Sequence, residues 1–581
     1  MDNQRTILIV ALAVLSWFMV MKWNEDYGQP IENDSVTISS AQQLQQPQET
    51  GNSEFSVPQA AVAATGENVM LDNAPATSSN GLIQVETDVI NLLIDPVGGD
   101  IVELSLLQYP RYAKNPDIPL KLFENSQQRV YVAQTALMGR NGIDASGQRP
   151  VFTSSQQNYR LQEGENQLTV DLDFSKEGVN YTKRFTLHRG IDTSCDERQI
   201  AIRHKSCMYE NGYQIQVSYL IDNQSSESWQ GSLLGQIKRD GQGDPSSSTA
   251  TGTATYLGAA VWTPDEPYKK IKMGTMDDKE FVQVVQGGWV GWLQHYFVAA
   301  WVPAQDATNT IFTKHKRPAD NYYFVGFNSQ AVDVAPGQQA ELKTTLYAGP
   351  KIQSNLKELA PGLHLTVDYG FLWFLAQPIF LLLSFIQSIL GNWGWSIILL
   401  TIIIKGIFYP LSAASYKSMA RMRAMAPKIQ QLKEQAGDDR QKLSQGMMEL
   451  YKKEKINPLG GCLPVLVQMP VFISLYWVLL ESVEMRQVPW ILWLTDLSSK
   501  DPYFVLPIIM GVSMFIQQKL NPAPPDPMQA KIMKMLPIVF TFFFMWFPAG
   551  LVLYWVVNNI LSIAQQWYVT HKIEKQMAAK A

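Results

Sequence analysis

Apolar positions follow three different spacings along the chain, and each spacing predicts a different kind of element. The N-terminus carries an apolar run, Ile7–Met21, interrupted only by Ser16 and followed by Lys22 and Trp23. Met19, Met21 and Trp23 stand where a signal-peptidase site needs small residues, so residues 1–23 predict a retained transmembrane anchor. The run is short for a span, and Trp17, Lys22 and Trp23 are suited to the interface. Residues 24–82 lose periodicity and are rich in Gln, Ser, Asn, Pro and Ala, the composition of a flexible linker.

From residue 83 to 350 the spacing becomes two. Gln167–Phe174 puts Leu168, Val170, Leu172 and Phe174 on one face, and Tyr213–Ile221 does the same with Tyr213, Ile215, Val217 and Tyr219. Turn signals such as Asp95–Asp100 and Asp240–Pro245 separate these runs. The pattern predicts a large antiparallel β-sandwich domain. Sandwiches often bind carbohydrate, but neither paired carboxylates nor an aromatic cluster marks a glycan site, and a scaffold or docking role is favoured. Cys195 and Cys207 flank a hairpin or loop excursion. A disulfide between them and a pair of free thiols are both open.

After Pro350 the apolar runs lengthen to helical spans. Phe371–Leu390 and Trp393–Leu411 are separated only by Gly391 and Asn392. Gly461–Leu480, Tyr503–Gln517 and Ile532–Ile563 follow, the last too long for one helix across a core of about 30 Å. Phe547-Pro548-Ala549-Gly550 splits it into two.

Charge sets the orientation of these spans. No Lys or Arg occurs between Lys22 and Arg111, whereas residues 412–456 hold ten basic residues against five acidic ones. The positive-inside rule places the first segment outside and the second in the cytoplasm. An odd number of crossings must separate them. Trp393–Leu411 has fewer polar interruptions, so residues 351–392 are expected to form an amphipathic helix along the outer interface. The sum is six transmembrane helices with both termini cytoplasmic. Residues 393–570 form a five-helix core, 412–457 a cytoplasmic helical hairpin and 571–581 a basic tail.

Composition changes this picture little, because it averages over the segregation. The 581 residues are 46% hydrophobic and 17% charged with a net charge of −5, and the mean hydropathy is −0.09. The mild acidity argues against a nucleic-acid binder working through bulk positive charge. Three cysteines are too few for a disulfide scaffold and lack metal-ligand spacing. There is no phosphate-binding GxxxxGK[ST] loop, no HExxH and no GxSxG, and the six histidines are scattered, so no cofactor, metal or catalytic residue is expected.

Candidate chemistry lies in the spans instead. Lys405 stands about 16 Å of helix from Tyr416, and a central lysine costs about 2.5–3.5 kcal/mol to insert. No acidic residue in the other spans is placed to neutralise it, which points to a water-filled groove open to the cytoplasm. Gly461–Leu480 carries Pro464, Gln468, Met469, Pro470, Phe472 and Ser474, and the fifth span carries Pro537, Phe543 and Trp546. Individually these fit ordinary helix packing. Together they suit a surface that accepts varied apolar helices. The basic hairpin is either a solvated topogenic face or a site for ribosomal RNA, anionic lipid or a targeting factor.

Several long runs carry a family resemblance. Lys455–Pro470 (KINPLGGCLPVLVQMP), Glu484-Met485-Arg486, Asp526-Pro527-Met528-Gln529, Trp546–Trp555 (WFPAGLVLYW), Trp292–Trp301 (WLQHYFVAAW) and Tyr347–Pro350 (YAGP) resemble the YidC family of bacterial membrane protein insertases, in its Gram-negative form with a large periplasmic domain. The likeness covers essentially the whole chain. It implies a non-enzymatic insertase and chaperone of the inner membrane, acting alone or with the Sec translocon and without nucleotide hydrolysis. Its partners would be nascent membrane proteins, membrane lipids, the ribosome, and the signal recognition particle or its receptor. The family's groove charge maps to Lys405, where many members have Arg. Thr401, Gln468 and Trp555 would add polar groups to the groove. Met469, Pro470, Phe472, Phe543 and Trp546 would form a slide for client helices. Lys417, Arg421, Arg423, Lys452, Lys453 and Lys455 lie in the region implicated in ribosome and targeting contacts. The Cys195–Cys207 segment looks like an insertion. A small-solute secondary transporter or an envelope scaffold is the alternative; internal repeats would favour the transporter, and none is visible.

Overall fold

A computed structural model describes residues 81–195, 207–244, 255–316, 321–437, 439–453, 463–521 and 527–578. The anchor at 1–23, nearly all of the linker, Lys455 and the Ile456–Cys462 part of the family-like run lie outside the described residues. The chain divides into a β-rich unit reaching Val367 and a helical unit from Asp368 onward.

The β-rich unit is built of an eleven-stranded and a nine-stranded sheet. In the smaller sheet Gln339–Pro350, Gln214–Asn223, Val179–His188 and Gln167–Lys176 pair antiparallel in that order. The register places Thr344, Val217, Phe185 and Val170 side by side. All four are buried, which is the outcome that alternation predicts when one face of a sheet meets a partner. The larger sheet runs through Asp100–Tyr112, Asn115–Asn125, Val130–Met138, Trp229–Arg239 and Tyr322–Ser329. Its pairing is antiparallel except between Ile83–Glu86 and Asn158–Arg160. The sheets face each other. Trp301 Nε1 of the smaller sheet donates to Gln236 O of the larger at 3.0 Å, and Tyr219 Oη donates to Thr135 O at 3.1 Å.

A charged cluster is sealed within this unit. Arg149 contacts both Asp100 and Asp144, the latter at 2.6 Å. Lys183 Nζ donates to Gly98 O at 2.8 Å beside the rings of Tyr219 and Phe185. Burial pushes the Lys183 ammonium down to about 7 against the pull of Asp100, and burial raises the Asp144 carboxyl. Cys195 and Cys207 are joined as a disulfide with their Cα atoms 5.9 Å apart.

Two short helices belong to the β-rich unit, α1 (Met273–Asp278) and α2 (Gln353–Leu359). The sequence pattern groups residues 351–392 as one interfacial segment, and the structure divides it. Ile352, Leu356 and Leu363 are buried within the β-rich unit, because apolar side chains there pack as core rather than as an exposed face.

The helical unit contains α3 (Trp373–Leu390), α4 (Trp393–Ile407), α5 (Tyr409–Ala424), α6 (Ala426–Ala436), α7 (Arg440–Lys453), α8 (Leu463–Glu481), α9 (Val505–Leu520), α10 (Pro527–Phe544) and α11 (Ala549–Ala578). Gly391 ends α3 in the left-handed conformation, and Asn392 caps α4 by accepting from Trp395 N. The apolar run at Trp393–Leu411 is broken at Phe408, with a 67° bend into α5. Pro410 occupies the first turn of α5, where its missing N–H costs no helical bond. The final apolar stretch splits between Phe544 and Ala549, where the sequence places its turn. Among the described residues one helical segment, Gly370–Leu390, is long and apolar enough to cross a membrane by itself. The bent pair of α4 and α5 passes the same test together.

Candidate functional site

Three helices of this unit converge on Lys405. From α4 its Nζ donates to Ser562 Oγ on α11 at 2.8 Å and to Gln468 Oε1 on α8 at 3.5 Å. Lys405 is 5% exposed and Ser562 3%. The ammonium is therefore held between helices instead of being presented to bulk solvent. Among the described residues no carboxylate stands within ion-pairing distance of it. An ammonium in an apolar bundle keeps its charge only if polar atoms replace water around it. Two neutral oxygens do so here without cancelling that charge.

The other expected polar groups fall into two kinds. Thr401, one turn before Lys405, is buried and donates its hydroxyl to Ile397 O of its own helix. Gln468 Nε2 and Trp555 Nε1 are buried donors with no hydrogen-bond partner. Hydrogen-bonding capacity is thus left unused on either side of the helix interface that holds Lys405.

The apolar residues form a continuous edge. Phe472 of α8 packs on Trp555 of α11 with ring centroids 4.7 Å apart, and Trp555 in turn meets Phe544 at the end of α10 at 5.7 Å. Tyr476 and Phe543 both pack against Phe547, which links α8 to α10. Met469, Phe543 and Trp546 project outward, 36%, 53% and 42% exposed. Pro470 leaves its turn without an N–H, and Ser474 donates to the Pro470 carbonyl at 2.8 Å. Gly511 of α9 lies so close to Thr541 of α10 that a Cβ there would collide with its hydroxyl. This close approach holds α10 against the bundle.

The hairpin is separate from these residues. Met425, Met447 and Tyr451 are buried along its seam with Ile429, Leu432, Leu443 and Leu450 packed against them. Lys417, Arg421, Arg423, Lys452 and Lys453 are exposed. Gly437 adopts a left-handed φ of 55° at the turn, and Asp439 accepts from Gln441 N and Lys442 N at the start of α7.

Ser562 was not among the expected site residues. The signal was present: Asn558, Asn559, Ser562, Gln565 and Gln566 recur three and four apart within an apolar stretch, which makes one polar stripe on a helix. Asn559 Nδ2 donates to Ser513 Oγ of α9 at 3.1 Å, and Gln566 Nε2 donates to Leu520 O and Asn521 Oδ1. The stripe fixes α11 against α9 and presents Ser562 to α4.

Known proteins resemble this chain along its full length. Residues 82–191 and 193–382 match the family described as YidC periplasmic domain, and residues 385–576 match that described as 60Kd inner membrane protein. The membrane protein insertase YidC of Pseudomonas paraeruginosa is 61% identical over 576 residues, covering 99% of both chains. That of Pseudomonas fluorescens is 60% identical over 583 residues, covering 100% of both. A crystal structure of an active YidC insertase with its first transmembrane domain resolved covers 85% of this chain and 93% of its own, at 16% identity and a TM-score of 0.38. With matches covering nearly all of both the relatives and this sequence, the chain belongs to the YidC family of membrane protein insertases.

Proposed function

We propose that the chain inserts and folds inner-membrane proteins, alone or with the Sec translocon, without hydrolysing a nucleotide. The chain crosses the membrane six times with both ends in the cytoplasm and the β domain in the periplasm. The observation that carries the mechanism is the Lys405 ammonium, held between apolar helices by neutral oxygens. The short hydrophilic tail of a client enters from the cytoplasm and reaches Lys405 and the unused donors of Gln468 and Trp555. An acidic tail exchanges the neutral oxygens around the ammonium for its own carboxylates. This shortens the hydrocarbon that the tail must cross.

The client's apolar helix then leaves along α8 and α10, over Met469, Phe472 and Phe543, into lipid. Met and Phe give contact that tolerates varied sequences, and Pro470 loosens the hydrogen-bonding of α8. Hydrophobic transfer and the membrane potential drive the step, the latter by about 2.3 kcal/mol per charge per 100 mV. An acidic tail moving outward is pulled in the productive direction. Lys417, Arg421, Arg423, Lys452, Lys453 and Lys455 supply the face that meets the ribosome, signal recognition particle or its receptor.

Photocrosslinkers at Met469 and Phe543 test the route. Nascent client helices should be captured at both positions, and capture only at the outer faces of other helices would refute the slide. Deleting residues 90–340 separates insertase from scaffold: the insertase keeps core activity, and a scaffold loses everything.

A further inference from the structure

We infer that Ser562 is a positioning residue that fixes where the Lys405 charge stands and thereby sets the preference for clients with acidic tails. This rests on the groove reading above and extends it to a second side chain. Ser562 Oγ donates its own hydrogen to Asn558 O at 2.7 Å. What it turns toward Lys405 is therefore a lone pair, and the 2.8 Å contact has the ammonium as donor. The Gln468 oxygen at 3.5 Å is the longer of the two contacts.

A lysine stem in apolar surroundings swings its head toward the nearest water. Lys405 lies two residues from the end of α4, so without a fixed acceptor its ammonium would swing toward the cytoplasmic end of the helix. Ser562 stops that swing. The serine itself stands on a helix that is pinned on another side, by Asn559 to Ser513 and by Gln566 to Leu520 and Asn521. The choice of a hydroxyl matters as well. A carboxylate at this place would hold the ammonium equally well but neutralise it, whereas a serine holds it with its charge undiminished and free to attract an acidic tail.

The test uses the full-length protein in a strain depleted of its own insertase, with two single-span clients that differ only in the tail, one acidic and one with the acids replaced by glutamine. Ser562→Ala should lower insertion of the acidic-tailed client by about tenfold or more, the scale of one charge-assisted hydrogen bond. The glutamine-tailed client should be inserted as before, which also reports that the variant is folded. Ser562→Thr keeps the acceptor and should restore the difference between clients. Equal loss for both clients, or loss for neither, overturns the assignment. Lys405→Ala run beside it separates two failures. If Lys405→Ala leaves the acidic-tailed client untouched, the groove reading itself fails. If only Ser562→Ala is silent, the groove reading stands and the role of Ser562 falls.

Discussion

Lys405 and Arg149 show two ways of burying a cation, with opposite consequences. Arg149 meets two carboxylates, Asp100 and Asp144, inside the β domain. Its charge is spent on structure, and removing it leaves two buried acids without their partner. Arg149→Met should therefore destabilise the β domain by about 3–5 kcal/mol, read as a lowered thermal midpoint. Lys405 meets only neutral oxygens, and its charge is available. Lys405→Arg keeps the charge but replaces a compact ammonium with a planar fork. It should support growth of a depleted strain, whereas Lys405→Ala should impair insertion of Sec-independent clients. Lys405 was legible from sequence because a cation deep in an apolar run stands out. The Arg149 cluster was not, because Asp100, the Asp144–Arg149 loop and Lys183 come from three segments that only the folded domain brings together.

At the scale of elements, the break between α4 and α5 follows from Pro410, and the bend carries the chain from the apolar bundle into the basic hairpin. Within the hairpin, a Cβ at Gly446 would come within 2.9 Å of Leu432. Gly446→Val should force α6 and α7 apart at a cost of about 1–3 kcal/mol, seen as faster proteolysis of the hairpin with the rest of the chain intact. The loop that leads into α9 shows the same economy. Asp501 accepts from Trp493 Nε1, Tyr503 N and Leu506 N and so fixes the entry to α9. Periodicity revealed the strands and the apolar helices well, since alternation and long apolar runs both report burial directly. It grouped residues 351–367 with the following helix, whereas Ile352, Leu356 and Leu363 pack within the β-rich unit, because an amphipathic pattern does not say which neighbour covers its apolar face.

Across the whole molecule, near-neutral averages conceal a division of labour. The β domain is periplasmic and the chain resides in the inner membrane. The basic hairpin and the cation-free stretch before Arg111 give the expected orientation. Thiol reagents supply a direct check at this scale: added outside intact spheroplasts in the absence of reductant, they should not modify Cys195 or Cys207, joined as they are. Labelling of both would show free thiols. Family membership was legible because the matching runs are long. The polar stripe on α11 was equally present in the sequence, but its meaning depended on which helix faces Lys405.

The central claim is that the charge at Lys405 receives the client. Lys405→Glu reverses that charge without shortening the side chain greatly, and it can be scored as insertion of a Sec-independent, acidic-tailed client in a depleted strain, with the variant's level in the membrane measured alongside. At normal membrane levels the variant should lose most of its insertion. Full insertion by Lys405→Glu would contradict the account.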